Sequence, residues 1–592
     1  HNDILTIDNT SQTVSFIGEV NTSDLTRPQF KPFIDTSSNQ SYLTKDYAAY
    51  KAAKNQSELI RPSTRVFEVR LTSSIVNSSL HGMQQDNNSR GVHSTTNHSE
   101  NFVIDNNRRH YDGPQSATAT TQMKSGSIGS LTGFEGLSQN CCSPPDVQVA
   151  AAGEGPSNYI VEMVNLDGAI YTKSGNLIKA FGLNQFFNPS DNSFSKSNDD
   201  LTDPLLLFDY SSGRWFASIS DTTTQSIRIA VSKTNDPTGV WRVYDFPIES
   251  SQPDNCSDQP FIGVSKDKFV IAVDNWANNC NWYSGNRPPE FRGAQLTIAD
   301  KSDLVNGSNS IRCIQSESDL NYFSLHPVSS ISPTSEELLI VSVGNFNYNK
   351  IQLFYIDGPI SNLHIRVATS DLIQTTHVPP DGIQPHAITR NSIANDDQQC
   401  CNNSNSNSNS SNSGTEHIIK EPKVSTGDAA IQSATWYQGK LWIALNDGCF
   451  PNGDIKSRSC IRFIQLDTTT NSNNNTRVIQ DFDVAAVGSS LYYPALSIDR
   501  AGNLGVIFGY SSQSVYPSLL VSMRLVKDIS NTIEQPQVLK LGRENELSNR
   551  YGDYFGAFTD PSSSKDYGTV WVAGQYHTQN TWSTYIGRLH MH

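Results

Sequence analysis

The sequence predicts an all-β fold, a seven-bladed β-propeller with an N-terminal strand-containing extension. Seven short apolar stretches each begin at a short segment that contains Asp or Pro. These seven starts are separated by 57, 55, 68, 102, 66 and 59 residues. Each repeat alternates apolar and polar residues with the period of half-buried strands. Self-similarity of this period is typical of stacked units. The seven starts are Pro145-Asp146-Val147, Asp203-Pro204-Leu205, Asp258-Gln259-Pro260-Phe261, His326-Pro327-Val328, Gly427-Asp428-Ala429, Tyr493-Pro494-Ala495 and Gly552-Asp553-Tyr554.

The strand count within a blade is clearest in the second repeat, where runs at 205–208, 214–218, 227–231 and 241–244 predict four strands. The seventh repeat supplies only three evident strands before the sequence ends. We expect residues 128–134, just ahead of the first blade, to provide the fourth. Such ring closure removes a sheet edge that would otherwise be open to aggregation.

Two regions follow from this reading, an extension over residues 1–125 and the propeller over 126–592. The extension contains strand-like runs at 4–7, 13–17 and 65–71, a helix candidate at 43–54 and a polar stretch. Within the propeller, an Asn/Ser tract at about 400–415 has no core-forming residues and predicts a surface insertion.

Composition argues against two classes of partner. Charged residues make up 17% of the chain and the net charge is -15, which disfavours binding to nucleic acid or anionic lipid. No apolar run approaches the roughly 20 residues that a membrane-spanning helix needs. We therefore expect copies of the same chain or surface glycans as partners, without nucleic acid or membrane insertion.

Two features, the identity of the first residue and the number of sequons, lead us to expect that the protein is exported. The chain begins at His1 rather than Met, which is expected after removal of a signal peptide. Twelve Asn-x-Ser/Thr sequons predict glycosylation at the cell surface, although chance produces some in a chain this rich in Asn and Ser. They are Asn9, Asn21, Asn39, Asn55, Asn77, Asn87, Asn97, Asn255, Asn306, Asn402, Asn409 and Asn474.

Nine cysteines fit the same compartment. We call the side of the propeller at which each first strand begins the top face. Cys256 and Cys280 are expected to emerge there together, and Cys449 and Cys460 bracket one top loop of the fifth blade. The adjacent pairs Cys141-Cys142 and Cys400-Cys401 each precede a blade, which leaves Cys313 as the odd thiol. A thiolate metal site is the alternative, but an exported chain favours disulfides.

Several phrases from Pro144 onward resemble secreted propellers of the sialidase-like or BNR-like group. The resemblance implies the architecture and not a reaction, because such a fold hosts many functions. The phrases include Asp203-Pro204 with Gly213-Arg214-Trp215, Asp236-Pro237-Thr238-Gly239, Tyr493-Pro494-Ala495 with Asp499, and Arg550-Tyr551-Gly552-Asp553-Tyr554 with Trp571-Val572-Ala573-Gly574-Gln575-Tyr576.

Sialidase chemistry itself finds no support in the sequence. It needs an arginine cluster, a Tyr-Glu pair and a further acid. The Phe-Arg-Ile-Pro opening and a full Asp box are both missing, since Ser497-Ile498-Asp499-Arg500-Ala501-Gly502 has the wrong spacing and no following Trp. We expect no sialidase activity.

Five aspartates are predicted near the top of the central tunnel, and three roles are open for them. The favoured role is structural, because an Asp ahead of a strand accepts backbone N–H bonds and closes a turn. A bound calcium ion and an acid pair for catalysis are the alternatives. The five are Asp146, Asp203, Asp258, Asp428 and Asp553.

The favoured function is a non-catalytic extracellular protein, structural or adhesive. It self-assembles into a filament or envelope layer when the runs at 4–7 and 13–17 add to a sheet edge of a neighbouring copy. A strand folded back onto its own propeller is equally open. The functional alternative is a glycoside hydrolase or carbohydrate-binding propeller, with Trp276, Trp436 or Tyr492 against the sugar and Asp258 among the carboxylates.

Overall fold

The structure is a computed structural model, and it describes most of the propeller together with four short stretches of the extension. The described residues are 7–8, 14–27, 66–70, 101–105, 128–140, 142–153, 158–189, 201–248, 254–277, 290–330, 337–343, 350–372, 379–385, 423–451, 453–469, 476–546, 550–560, 568–578 and 581–591.

Seven antiparallel sheets follow one another along the chain, each with four strands ordered from the tunnel outward. The predicted all-β, seven-bladed propeller is therefore confirmed. Blade 1 has strands Gln148–Ala152, Tyr159–Val164, Asp167–Thr172 and Leu177–Gly182; blade 2 has Leu201–Asp209, Arg214–Asp221, Ser226–Ser232 and Val240–Pro247; blade 3 has Cys256–Val264, Lys268–Trp276, Phe291–Asp300 and Cys313–Ser316.

The remaining blades keep the same order, although the first strand of blade 4 is very short. Blade 4 has His326–Pro327, Leu338–Ser342, Lys350–Asp357 and His364–Asp371; blade 5 has Ile431–Tyr437, Lys440–Cys449, Arg458–Asp467 and Arg477–Ala486; blade 6 has Ser489–Ile498, Leu504–Ser512, Ser518–Arg524 and Gln537–Lys540; blade 7 has Gly556–Thr559, Thr569–Thr578, Thr581–Met591 and Ile128–Ser138.

The last strand of blade 7 closes the ring as predicted. Ile128–Ser138 pairs antiparallel with Thr581–Met591, from Ile128 opposite Met591 to Ser138 opposite Ser583. The strand is four residues longer than the predicted run at 128–134. The N-terminal side of the chain thus covers the edge that blade 7 would otherwise expose.

Strands of the extension add to the outer edges of three blades. Ile7–Asp8 pairs with the fourth strand of blade 3, and Ser15–Asn21 with that of blade 2. Asn101–Asp105 pairs with the fourth strand of blade 5 and carries Val66–Arg70 on its far side. The run at 65–71 is therefore a strand, as predicted. The helix candidate at 43–54 and the insertion at 400–415 lie outside the described residues.

The hydrophobic core lies between neighbouring blades. Val161 and Ile170 of blade 1 pack in one cluster with Phe208 and Trp215 of blade 2, because alternate residues of each strand face the adjacent sheet. Other elements are short: helices Leu183–Phe187 and Lys301–Asn306, 3-10 turns Thr22–Asp24 and Ile360–Asn362, and the strand pairs Ser329–Ser330 with Ile431–Tyr437 and Gly382–Ile383 with Lys423–Val424. Among the described residues, no helix has the length and apolar content to cross a membrane.

Candidate functional site at the tunnel mouth

Each blade begins with one residue at positive φ, which strains the backbone of the five residues that carry a side chain but not that of the two glycines. These residues coincide with six of the seven predicted starts, and in blade 4 the residue lies two positions ahead of the predicted start at His326. The positive φ therefore repeats around the ring, where the chain turns from one blade into the tunnel-lining strand of the next. The seven residues and their φ angles are Asp146 (50°), Asp203 (57°), Gln259 (48°), Ser324 (50°), Gly427 (70°), Tyr493 (50°) and Gly552 (99°).

Two of the predicted aspartates hold neighbouring blades together through backbone bonds. Asp146, only 1% exposed, accepts the N–H of Asp553 in blade 7 at 3.2 Å. Asp203, 3% exposed, accepts the N–H of Gln259 in blade 3 at 3.2 Å. The structure thus places both carboxylates in the structural role favoured from the sequence.

A third aspartate joins these two at the mouth of the tunnel. Asp553 is 4% exposed and forms an ion pair with Arg550 at 3.2 Å. One carboxylate oxygen from each of Asp146, Asp203 and Asp553 lies within 4.8 Å of the other two. Three oxygen ligands at this spacing are compatible with a hard cation such as calcium, and the predicted calcium role remains a prediction for these three.

The other two predicted aspartates do not enter this group. The three that converge belong to blades 7, 1 and 2, which are adjacent, whereas Asp258 starts blade 3 and Asp428 starts blade 5. Asp428 accepts the N–H of Ala430 at 2.8 Å and so closes its own turn. Asp258 is buried, and its negative charge helps to raise the pKa of the nearby Tyr554.

Tyr554 lies just ahead of the first strand of blade 7, within electrostatic reach of the carboxylates. Its hydroxyl donates to the carbonyl oxygen of Pro204 at 3.0 Å. Burial raises the pKa of this phenol well above its usual value, and the negative charges of four aspartates raise it further. The phenol therefore remains a hydrogen-bond donor across the tunnel mouth. The four aspartates are Asp146, Asp203, Asp553 and Asp258.

A belt of polar side chains at the ends of the second strands supports the strained positions, and the sequence analysis missed it. Asn165 accepts the N–H of Asp203 at 3.1 Å and donates to Asp146. The signal was present in the sequence, because the apolar run of each of these second strands is followed directly by a polar residue. Asp274 and Asn446 likewise accept the N–H at the start of the following blade, from Ser324 at 3.0 Å and from Tyr493 at 2.7 Å. Gln575 accepts the N–H of Gly552 at 3.1 Å, at the start of its own blade 7.

The aromatic residues proposed for sugar binding do not offer ring faces on the top face. Tyr492 is fully buried and its ring packs against Gly509. Trp276 is 5% exposed and lies in a cluster with Phe323. Trp436 lies near the end of its first strand, on the opposite face, and donates to Thr468 at 2.9 Å. Packing buries Tyr492 and Trp276 and partly buries Trp436, so these positions do not favour sugar stacking, and the carbohydrate alternative stays a prediction.

The cysteine predictions are met where the structure describes them. Cys449 and Cys460 form a disulfide across the second and third strands of blade 5, with a Cα–Cα distance of 6.2 Å. Cys313 is buried and remains a thiol outside the disulfides. Cys142 and Cys256 are also disulfide-bonded. The other predicted members, Cys141, Cys280, Cys400 and Cys401, lie outside the described residues.

Three of the twelve sequons fall within the described residues. Asn306 ends a short helix and is exposed, and Asn21 is partly exposed at the end of its strand. Asn255 is 2% exposed, and its amide donates to Asn275 at 3.1 Å. A glycan on Asn255 does not fit this packing, so the prediction for that residue is corrected. The other nine sequons remain predictions.

Comparisons with known proteins return matches among solved structures at low sequence identity. No protein-family model and no curated protein matches the sequence. Among solved structures, a Trypanosoma rangeli sialidase in complex with 2,3-difluorosialic acid matches at 9% identity and TM-score 0.31, over 70% of this chain and 55% of its own. The NanB sialidase of Streptococcus pneumoniae matches at 9% identity and TM-score 0.34, over 73% of this chain and 83% of its own.

A Dyadobacter fermentans protein of unknown function matches at 11% identity and TM-score 0.31, over 66% of this chain and 95% of its own. This chain thus spans about half the length of the T. rangeli sialidase described above. Every one of these TM-scores is below 0.5, so the seven-bladed fold is established from the strand pairing.

Proposed function

We propose that the protein is a non-catalytic, extracellular structural propeller whose copies are linked by exchange of the N-terminal strand. The observation that carries the proposal is the docking of Ser15–Asn21 as a fifth strand on the outer edge of blade 2. Main-chain hydrogen bonds of this kind give affinity and place few requirements on the sequence of the added strand. In the single chain the strand lies on its own propeller, the second of the two arrangements left open by the sequence.

The backbone register of this docked strand is well defined. Glu19 lies opposite Arg242 and Phe16 opposite Tyr244, with an irregularity between Gly18 and Phe16. Such a bulge bends the added strand so that it follows the twist of the blade. The edge of blade 2 therefore offers a specific groove for one segment.

Side chains of residues 14–27, which we call the strap, fill the space between blades on both sides of blade 2. Val14 packs in the core between blades 2 and 3, and Val20 and Leu25 pack in the core between blades 1 and 2. Burying each such side chain stabilises docking by about 1.5–3 kcal/mol. The strap is thus held by hydrophobic burial as well as by strand pairing.

Polar contacts fix the end of the strap. The hydroxyl of Thr22 is fully buried and donates to the carbonyl oxygen of Pro237 at 2.8 Å. Glu19 forms ion pairs with Lys233 and Arg242, both at 3.2 Å. These pairs are partly exposed, so they set register more than affinity.

Strand exchange requires that the chain between the strap and Val66–Arg70 span the distance to a neighbouring copy. Residues 28–65 separate the strap from the next described strand, Val66–Arg70. Chain of that length reaches on the order of 100 Å when extended, which is enough to place the strap on blade 2 of a neighbour. Repeated head-to-tail donation that does not close on itself generates a filament.

Two further observations support a structural and extracellular role. The carboxylates at the tunnel mouth are buried and bonded to backbone N–H groups of adjacent blades, which is the environment of a turn-closing group. The Cys449–Cys460 disulfide is typical of an oxidising compartment.

Deletion of residues 1–25 tests the proposal, because it removes the buried strap residues and leaves Arg27 in place. Light scattering is expected to show concentration-dependent assembly of the full chain and a monomeric deletion variant. A synthetic peptide of residues 14–27 should then bind the variant. Deletion of residues 1–5 serves as the control and should leave assembly intact.

Equal assembly of the full chain and the 1–25 deletion would overturn strand exchange, and so would a full chain that stays monomeric. Hydrolysis assays on extracellular polysaccharides address the non-catalytic part. Turnover that is abolished by Asp258→Asn would show an enzyme.

A further inference from the structure

The junction where the ring closes contains a buried carboxyl group that no other role in the molecule explains. We call this junction the seam; it joins the closing strand Ile128–Ser138 of blade 7 to the second strand of blade 1. Glu162, fully buried, points from blade 1 across the seam. The pairing of the closing strand shifts register there, with Ser138 opposite Ser583 but Glu135 opposite Tyr585.

The register shift leaves the closing strand in need of a partner from outside its own sheet. Two residues, Gly136 and Leu137, stand against the single residue Thr584, which is the pattern of a β-bulge. Glu162 takes up the bulge, since its Oε2 accepts the N–H of Leu137 at 3.0 Å. The same oxygen accepts the Tyr171 hydroxyl at 3.1 Å.

The hydrogen bonds at the other oxygen, Oε1, indicate whether the carboxyl group of Glu162 is protonated or ionised. The Thr584 hydroxyl has one proton but faces two acceptors, the Leu137 carbonyl oxygen at 3.1 Å and Oε1 of Glu162. A protonated Glu162 donates to Thr584 Oγ1, and Thr584 then donates to Leu137. Ionised Glu162 leaves one of these acceptors without its hydrogen bond and places a charge in the seam.

Space and charge around the group fit this arrangement. A Cβ atom on Gly136 would lie 2.7 Å and 2.8 Å from the two oxygens of Glu162, so only glycine fits beside the carboxyl group. Arg27 of the strap bonds to Asp167 at 2.9 Å and to the Ser138 carbonyl oxygen at 2.7 Å. The groups that titrate or carry charge around Glu162 are thus Tyr171, Arg27 and, through Arg27, Asp167.

We propose that the seam is a proton-dependent clasp, in which protonated Glu162 holds the closing strand to blade 1 and ionisation of Glu162 loosens it. This inference does not depend on which copy supplies the strap, because the bonds of the clasp, from Glu162 to Leu137 and Thr584, lie within one chain.

The expected pH dependence follows from the direction of the shift. Burial is the main cause that raises the pKa of Glu162 to about 7, against the bonds from Thr584, Tyr171 and Leu137 and the charge of Arg27, which lower it. An exposed glutamic acid titrates near 4.3. The closed seam therefore binds the proton more tightly than the open one, and closure weakens as pH rises from about 5 to about 7.

Hydrogen exchange at the Leu137 amide measures this opening. Each pKa unit of difference changes an equilibrium tenfold, so protection, corrected for the intrinsic exchange rate, should fall up to tenfold per pH unit between about 5 and 7 and then level off. Glu162→Gln copies the protonated carboxyl, because its amide donates to Thr584 and its oxygen accepts from Leu137. Its protection should be constant over this range.

Glu135→Gln is the matched control, since Glu135 lies on the same strand but accepts the Tyr576 hydroxyl at 2.6 Å on the other side. It should keep the wild-type slope. Arg27→Gln provides a second variant, because loss of the nearby positive charge should move the fall in protection to higher pH. Equal pH dependence of wild type and Glu162→Gln would overturn the clasp. If Glu162→Gln does not fold, an unshifted profile in Arg27→Gln would overturn it instead.

Discussion

The inner rim of the propeller, where each blade starts at the tunnel, differs from the outer rim, where each blade ends in its outermost strand. On the inner rim all seven blades start at a residue with positive φ, and at least four second strands hold such a residue through one polar side chain. On the outer rim the described strands treat the blades differently. Blades 2, 3 and 5 carry strands of the extension, blade 7 ends with the closing strand, and blades 1, 4 and 6 end with their own fourth strands.

This difference teaches where the individuality of the chain lies. A feature repeated in every blade serves a need that every blade shares, which is to turn the chain into the tunnel and lock it to its neighbour. A feature present on some blades alone does not serve that need. The outer rim is therefore the part on which the proposed assembly function rests.

The largest expected effect comes from breaking the inner rim at Asn165. Its amide bonds to Asp146, to the Pro144 carbonyl oxygen at 3.1 Å and to the Asp203 N–H at 3.1 Å. Asn165→Ala leaves buried groups unpaired and should lower the free energy of unfolding by about 2–4 kcal/mol. Urea denaturation measures this loss.

Asn176→Ala in the outer hairpin of the same blade is the control for that substitution. Asn176 is exposed, and its amide bonds locally to Ser174 at 3.0 Å. The expected change stays within about 0.5 kcal/mol. Equal effects of the two substitutions would contradict the distinction between the rims.

An intermediate effect is expected at the strap. Thr22→Val removes the hydroxyl that bonds to Pro237 but keeps the volume of the side chain, so docking should weaken by about 1–2 kcal/mol. Hydrogen exchange of residues 14–27 should rise while protection of the blade strands stays unchanged. Ser23→Ala, at an exposed neighbour, should change neither. A global loss of protection in Thr22→Val would show that the strap is part of the propeller core.

The smallest effect is expected from Glu19→Gln. Its ion pairs with Lys233 and Arg242 are partly exposed, so their loss should weaken docking by less than about 1 kcal/mol. The difference between wild type and variant should shrink as salt is added, because ions screen exposed pairs. A larger, salt-independent loss would indicate that this pair is buried by a partner.

Local patterns predicted the blades because each blade is built from residues close in sequence. Asp, Gly and Pro mark the strained turns, and six of seven predicted starts coincide with them. The closing strand was also predictable, since the seventh repeat was one strand short. The Cys449–Cys460 disulfide followed from hairpin geometry, as strands paired in that hairpin bring the two sulfur atoms together.

Such local patterns do not predict contacts between residues that are distant in sequence. The choice of blades 2, 3 and 5 as acceptors for the extension depends on edge shape and burial, which single residues do not encode. Tyr492 lies beside a predicted start, yet its ring turns toward Gly509. Glu162 reads as one polar residue in an apolar strand, and its role depends on a bulge in a strand from another blade.

Cysteine crosslinking tests strand exchange most directly, because Glu19 and Arg242 lie opposite each other in the docked strand. One preparation carries Glu19→Cys and a second carries Arg242→Cys, and the two are mixed, assembled and oxidised. The account predicts covalent pairs between the two chains, seen on a non-reducing gel and located at these positions by mass spectrometry. A third preparation carries both substitutions in one chain, and crosslinking within that double variant with none between the mixed single variants would contradict the account.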